Sequence, residues 1–212
     1  MLDIPYEENR GSTCALSCYT MTARFFSPEV TFEQIAEISD WHKGYVIWGF
    51  KFWLWIMDRG IKITEYDLTN LEKWANEGFE NLRDEMTEGE YNFITENTWQ
   101  INSYSEDIRK VLAHPNFIFK RERPTFQDLK DAFQRGAVCE VVLDATALDS
   151  KEGKIILHRV EILDITDEEI TFHDPRTNNP RPKRKESVEL FTKAWLERLE
   201  SPELCVYEQI KF

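Results

Sequence analysis

The sequence predicts an α+β fold, with an N-terminal helical layer packed on a C-terminal antiparallel sheet, and three observations carry that expectation. The first 135 residues are dominated by capped segments with apolar residues at helical spacing. From Val138 onward, β-branched runs bounded by charged turns take over. A content of 42% hydrophobic and 13% aromatic residues is enough to fill a core between two layers, which sets disorder aside.

Ser12 or Thr13 is placed to cap a helix from Cys14 to Phe26, along which Ala15, Cys18, Tyr19, Thr22 and Phe26 recur, and Pro28 stops it. Thr31 caps a second helix, Phe32 to Ser39. A third is expected over Ile47 to Arg59, closed by Gly60, followed by a strand from Ile61 to Tyr66. Residues 70–114 read as mostly helical, with helices near Leu71–Arg83 and Tyr104–His114. Thr125 opens another helix, Phe126 to Arg135, ended by Gly136. Strands are expected at Val138–Leu143, Ile155–Ile165 and Glu169–His173, then a helix over Glu186–Leu199 and a closing strand from Leu204 to Phe212. No repeat or low-complexity segment interrupts this order. The 212 residues suit a single domain spanning 1–212, with a helical insertion near 67–130.

Composition excludes several functions. The formal net charge is -13, from 39 acidic and 26 basic side chains, and it repels nucleic acid and anionic membrane alike. The most apolar stretch, Tyr45 to Met57, is broken by Lys51 and is shorter than the ~20 residues of a spanning helix, so it reads as a buried one. Met1 to Tyr6 has neither a basic n-region nor an apolar h-region, and a cytoplasmic location is expected. Cys14, Cys18, Cys139 and Cys205 form no CxxC pair, and His42, His114, His158 and His173 show no ligand spacing. Free thiols, no metal and no cofactor are the expectation.

The candidate chemistry centres on Cys14. A helix N-terminus offers unpaired N–H groups and a positive dipole end that favour the thiolate, and Cys14 sits in the first turn after Gly11-Ser12-Thr13. Position alone does not distinguish it from a buried apolar cysteine. His158 opens a strand on which Val160 and Ile162 share its face, so that face looks inward, as a base beside a buried thiol requires. Asp174 ends the next strand. An antiparallel pair turning at Asp167-Glu168 brings it back beside His158, whereas Asp164 lies ~20 Å along the strand.

These residues resemble the C39-like peptidases. Ile4-Pro5-Tyr6, a polar residue six before Cys14, and a following helix are similar to that family's opening. The segment from His158 through Phe172-His173-Asp174-Pro175 resembles its histidine strand, turn and Asp-Pro motif. The resemblance covers the start and the region from about Val138, with no match across 67–130. It implies a papain-like cysteine protease fold, thiol catalysis and a Cys-His-Asp triad. The family usually carries Gln six positions before the nucleophile, as an oxyanion donor; here that position is Glu8, and neighbouring Asn9 supplies an amide instead.

The expected function is therefore a cysteine hydrolase, a peptidase or amidase acting through an acyl-thioester on Cys14, with a peptide or amide-containing substrate. His158 is the base, Asp174 the orienter, and Asn9 or a protonated Glu8 faces the oxyanion. The same triad would serve an acyltransferase, and the Glu8 departure fits a silent papain-like binding module. Cys18, one turn after Cys14, reads as core packing, and Cys139 and Cys205 as inert. Trp41, Trp48, Trp53 and Trp55 read as core more readily than as a cleft wall. Arg181-Pro-Lys-Arg-Lys185 reads as a solvated turn.

Overall fold

The computed structural model describes residues 1–11, 14–151 and 153–210. At its centre lies helix α1 (Cys14–Phe26), in which every residue from Leu16 to Ala23 is buried. A helix covered all round must satisfy its polar side chains internally. Thr20 Oγ1 donates to the Leu16 carbonyl at 2.8 Å, Ser17 Oγ to the Glu8 carbonyl at 3.2 Å, and Thr22 Oγ1 to carboxylates of the sheet. The cap expected at Ser12 or Thr13 lies outside the described residues.

Helix α2 (Phe32–Ile38) carries the expected Thr31 cap, closed reciprocally by Gln34. Helix α3 (Phe50–Met57) starts later than the apolar pattern suggests, because Val46 is drawn into a bridge with Thr98 and its N–H bonds the Asn97 carbonyl. Strand β1 (Ile61–Tyr66) follows. The expected Leu71–Arg83 helix breaks into α4 (Leu71–Glu77) and a 3₁₀ turn (Phe79–Glu85), since Gly78 stands at φ 93°. Helix α5 (Glu88–Asn97), α6 (Tyr104–Ala113), strand β2 (Phe117–Lys120) and α7 (Phe126–Gln134) complete the first part.

The second part runs β3 (Val138–Asp144), a short α8 (Ala145–Leu148), β4 (Leu157–Ile165), β5 (Glu169–Asp174), β6 (Arg181–Ser187), α9 (Val188–Thr192) and β7 (Glu203–Gln209). Helix α9 begins two residues later than expected because Ser187 caps it, and it continues as a wider π turn over Lys193–Glu197.

Seven strands form one mixed sheet in the order β2-β1-β7-β3-β4-β5-β6. The expectation of a C-terminal, purely antiparallel sheet under one helical layer is corrected in three respects. Strands β1 and β2 come from the first part of the chain, they pair in parallel, and helices cover both faces. The reason is visible in β3, which is buried at all seven positions and needs cover on each side. One core joins α1, α3, α4 and α6 to Ile61, Ile63, Leu163 and Tyr207; the other joins α7 and α9 to Val141, Val160, Ile162 and Phe172. Among the described residues no helix is long and apolar enough to cross a membrane.

Candidate active site

Cys14 is the first residue of α1, and Cys18 and Thr22 follow it at helical intervals along the face turned to the sheet. Thr22 bonds Glu140 of β3 and Glu161 of β4 from that face. Alternation along β4 then puts Arg159 and Glu161 under α1, and sends Val160 and Ile162 into the opposite core. The apolar face expected to hold the thiol is thus the wrong one. His158 meets Cys14 because it stands near the start of β4, one residue after Leu157.

Strands β4 and β5 pair from Glu161 opposite His173, so Asp174, the next residue of β5, reaches back toward His158. His158 Nε2 and Asp174 Oδ1 are 2.7 Å apart. His158 is only 5% exposed and Asp174 is fully buried. With Nε2 engaged by Asp174, Nδ1 is the nitrogen left to face the thiol. Cys14, His158 and Asp174 therefore come together. Asp164 does not: its carboxylate bonds the Ile165 N–H at the far end of β4.

Electrostatics separates Cys14 from the other thiols. Burial alone would raise it, but its hydrogen bond to His158, the charge of that ring and the Arg159 N–H outweigh burial and bring its pKa down from 9.0 to about 7. Cys18, Cys139 and Cys205 are buried, and burial pushes each well above the ordinary thiol value. Burial opposes a charge on His158, yet its bonds to Asp174 and Cys14 raise it to about 9. Burial likewise opposes the Asp174 carboxylate, and the His158 and Arg184 bonds hold it below its usual range. The two shifts, the thiol down and the imidazole up, both favour the thiolate–imidazolium form of the pair.

The loop before Cys14 places the remaining candidates. The Glu8 side chain is exposed. Asn9 Oδ1 accepts from the Gly11 N–H at 2.9 Å, which holds the carboxamide by its oxygen. Glu7 is the buried carboxylate here, and sequence reading passed it over: it bonds Arg24 of α1 at 2.7 Å and Arg10 at 2.9 Å, tying the loop to the helix. Tyr6 donates to the Asp174 main-chain carbonyl at 3.3 Å, and burial with the nearby Asp174 and Glu8 charges raises its hydroxyl to about 12.

The run 181–185 is a correction. It forms β6 rather than a solvated turn, and Arg184 is buried with Nη1 2.8 Å from Asp174 Oδ2. Its only sequence signal is an arginine within a cationic run, which does not distinguish it from its neighbours. Of the tryptophans, Trp53 is buried with Nε1 3.2 Å from the Tyr207 hydroxyl, and Trp48 stacks on Phe50, as core residues do. Trp55 borders a surface recess between α2 and α3, beside Ser27 at the opposite end of α1 from Cys14. Concavity there is unconnected to the triad. No protein-family model matches the chain, and no curated protein matches it.

Proposed function

We propose that this protein is a papain-like cysteine hydrolase, similar to the C39-like peptidases, that cleaves a peptide or amide bond through an acyl-thioester on Cys14. One observation carries the reading: a buried aspartate, Asp174, holds His158 at 2.7 Å beside Cys14, the first residue of α1, and that histidine favours the thiolate at Cys14.

His158 takes the Cys14 proton on Nδ1, and the sulfur attacks the substrate carbonyl carbon. The carbonyl electron pair moves onto oxygen, where the Cys14 N–H and the Asn9 amide donate to it. As the tetrahedral adduct collapses, the C–N bond breaks and the imidazolium returns the proton to the departing amine. Water then attacks the thioester, His158 accepts its proton, and the acid and free thiol are released. Asp174 fixes the ring with Nδ1 toward sulfur. An amine in place of water would give acyl transfer, and added amines resolve the two by their products.

Alkylation with iodoacetamide followed by mass spectrometry should modify Cys14 first, with a rate rising through a midpoint near pH 7. Turnover should add a second limb near pH 9, where the imidazolium proton donor is lost. Cys14→Ser should lower turnover by at least about 10³-fold. Asn9→Ala should slow acylation by about 10²–10³-fold, and Glu8→Gln should change it little. The exposed Glu8 at the usual Gln position favours one rival, a silent binding module. If peptides, esters and amides all fail to acylate Cys14, that module replaces the hydrolase.

A further inference from the structure

Asp174 has a second side. Its Oδ1 accepts from His158 at 2.7 Å and from Arg176 Nε at 3.1 Å, while Oδ2 accepts from Arg184 Nη1 at 2.8 Å. Both arginines also reach Asp149, just beyond α8: Arg176 Nη1 lies 2.7 Å from Oδ2, and Arg184 Nη1 lies 3.2 Å from Oδ1. Arg184 is fastened further by Glu186 at 2.8 Å and by the Leu148 carbonyl at 2.7 Å. Two aspartates and two arginines thus form a closed ring of formal charge zero behind the imidazole.

The fold builds this ring deliberately. Between Phe172 opposite Arg184 and Asp174 opposite Arg181, β6 carries one extra residue. Lys183 takes the left-handed backbone, φ 56°, and its N–H bonds His173 Nδ1 at 3.2 Å. Such a bulge re-aims the next side chain, and that side chain is Arg184.

We propose that Arg184 is a positioning residue for His158, acting through Asp174. With Arg176 and Asp149 it locks the carboxylate against the ring and offsets its charge, so that the imidazolium can release its proton to a leaving group. The inference rests on the proposed hydrolase reading for its catalytic meaning, but the charge relay stands on geometry alone. A bare, buried aspartate would hold the imidazolium too tightly to serve as an acid; a neutral ring would not. Beyond the ring, Cys14 from α1 acts on the histidine, Tyr6 from the N-terminal segment bonds the Asp174 main-chain carbonyl, and Lys151 lies 3.5 Å from Asp149. Arg159, the next residue of β4, lies under α1 with Glu140 and Glu203, and its N–H reaches Cys14.

The test is the titration of His158, read by NMR on histidine-labelled full-length protein carrying Cys14→Ser, so that the ring titrates without the thiol. Arg184→Gln should move its midpoint up by about 1 pH unit, and Arg184→Lys should restore much of the difference. Arg176→Gln should also move it up. Asp149→Asn leaves both arginines charged and less neutralised, so it should move the midpoint down. A merely structural role would not give opposite signs to two partners of one ring. If Arg184→Gln does not fold, the Arg176 and Asp149 variants decide alone. Midpoints within about 0.2 pH unit of the parent, or a shift of the same sign in both, would overturn the proposal. The proposed chemistry fails separately, through unreactive Cys14 in the wild type.

Discussion

Thr22 has one hydroxyl proton and two carboxylates to serve. Its Oγ1 lies 2.8 Å from Glu140 and 3.1 Å from Glu161, which face each other directly across β3 and β4. One guanidinium, Arg159, reaches Glu140 at 3.3 Å and Glu203 at 2.6 Å, but makes no bond to Glu161. Burial and the Glu140 charge therefore push Glu161 well above the ordinary carboxyl value. A carboxyl raised on folding gives stability that is fully present below its unfolded pKa, about 4.3, and is lost as pH rises toward the folded value. Glu161→Gln keeps the shape without the titration. Its melting temperature relative to wild type should climb steadily from pH 5 to pH 8, and parallel melting profiles would refute this. Strand order and spacing could bring Asp174 back beside His158, because that pairing is a local fact; Cys14 entered through its place at a helix start and the family resemblance, and the strand face expected to hold it was the wrong one. Sequence reading could not see Glu161 as buried. In a strand of alternating character a glutamate belongs to water, and only the helix laid over it, more than a hundred residues earlier, reverses that.

Strand β6 shows the same limit at the scale of an element. Charge density made 181–185 read as a solvated turn, yet pairing with β5 makes it a strand and the ion pairs behind Asp174 take up Arg184. Lys183 in its bulge occupies a left-handed backbone that costs an L residue about 1–2 kcal/mol, and its own side chain is exposed. Lys183→Gly should relieve that and, after the added chain entropy of glycine, raise stability by up to about 1 kcal/mol. Lys183→Val should lower it by at least that much. Denaturant unfolding measures both, and an unchanged midpoint in both variants would mean that the bulge relaxes freely. Elements with their own punctuation were legible to within a residue or two: Thr31 and Thr125 cap as expected, and Gly60 and Gly136 stand at φ 82° and 84° where their helices close. Helix α5 and strand β2 were missed. The first buries no residue fully, and the second, four residues long, exists through its parallel pairing with β1.

For the molecule as a whole, the decisive feature is where the last strand goes. β7 lies between β1 and β3, joining the β2-β1 pair to the meander of β3 through β6. Its Cys205 and Tyr207 face the core beneath α1, and Leu204 and Val206 face the other core. A chain ended at Ser201 should lose cooperative thermal unfolding and become readily proteolysed, since both layers are left with a gap through the middle of the sheet. A retained sharp transition would show that the two halves hold together without it. The same placement sets a clock on synthesis. At about 5–20 residues per second, roughly 10–40 s separate the emergence of Cys14 from that of the closing strand. Throughout that interval the platform under α1 is incomplete and the thiol is an ordinary one, mostly protonated beside the ribosome and its crowd of nascent chains. Cys14 is made early and meets its complete surroundings only when the last strand is in place.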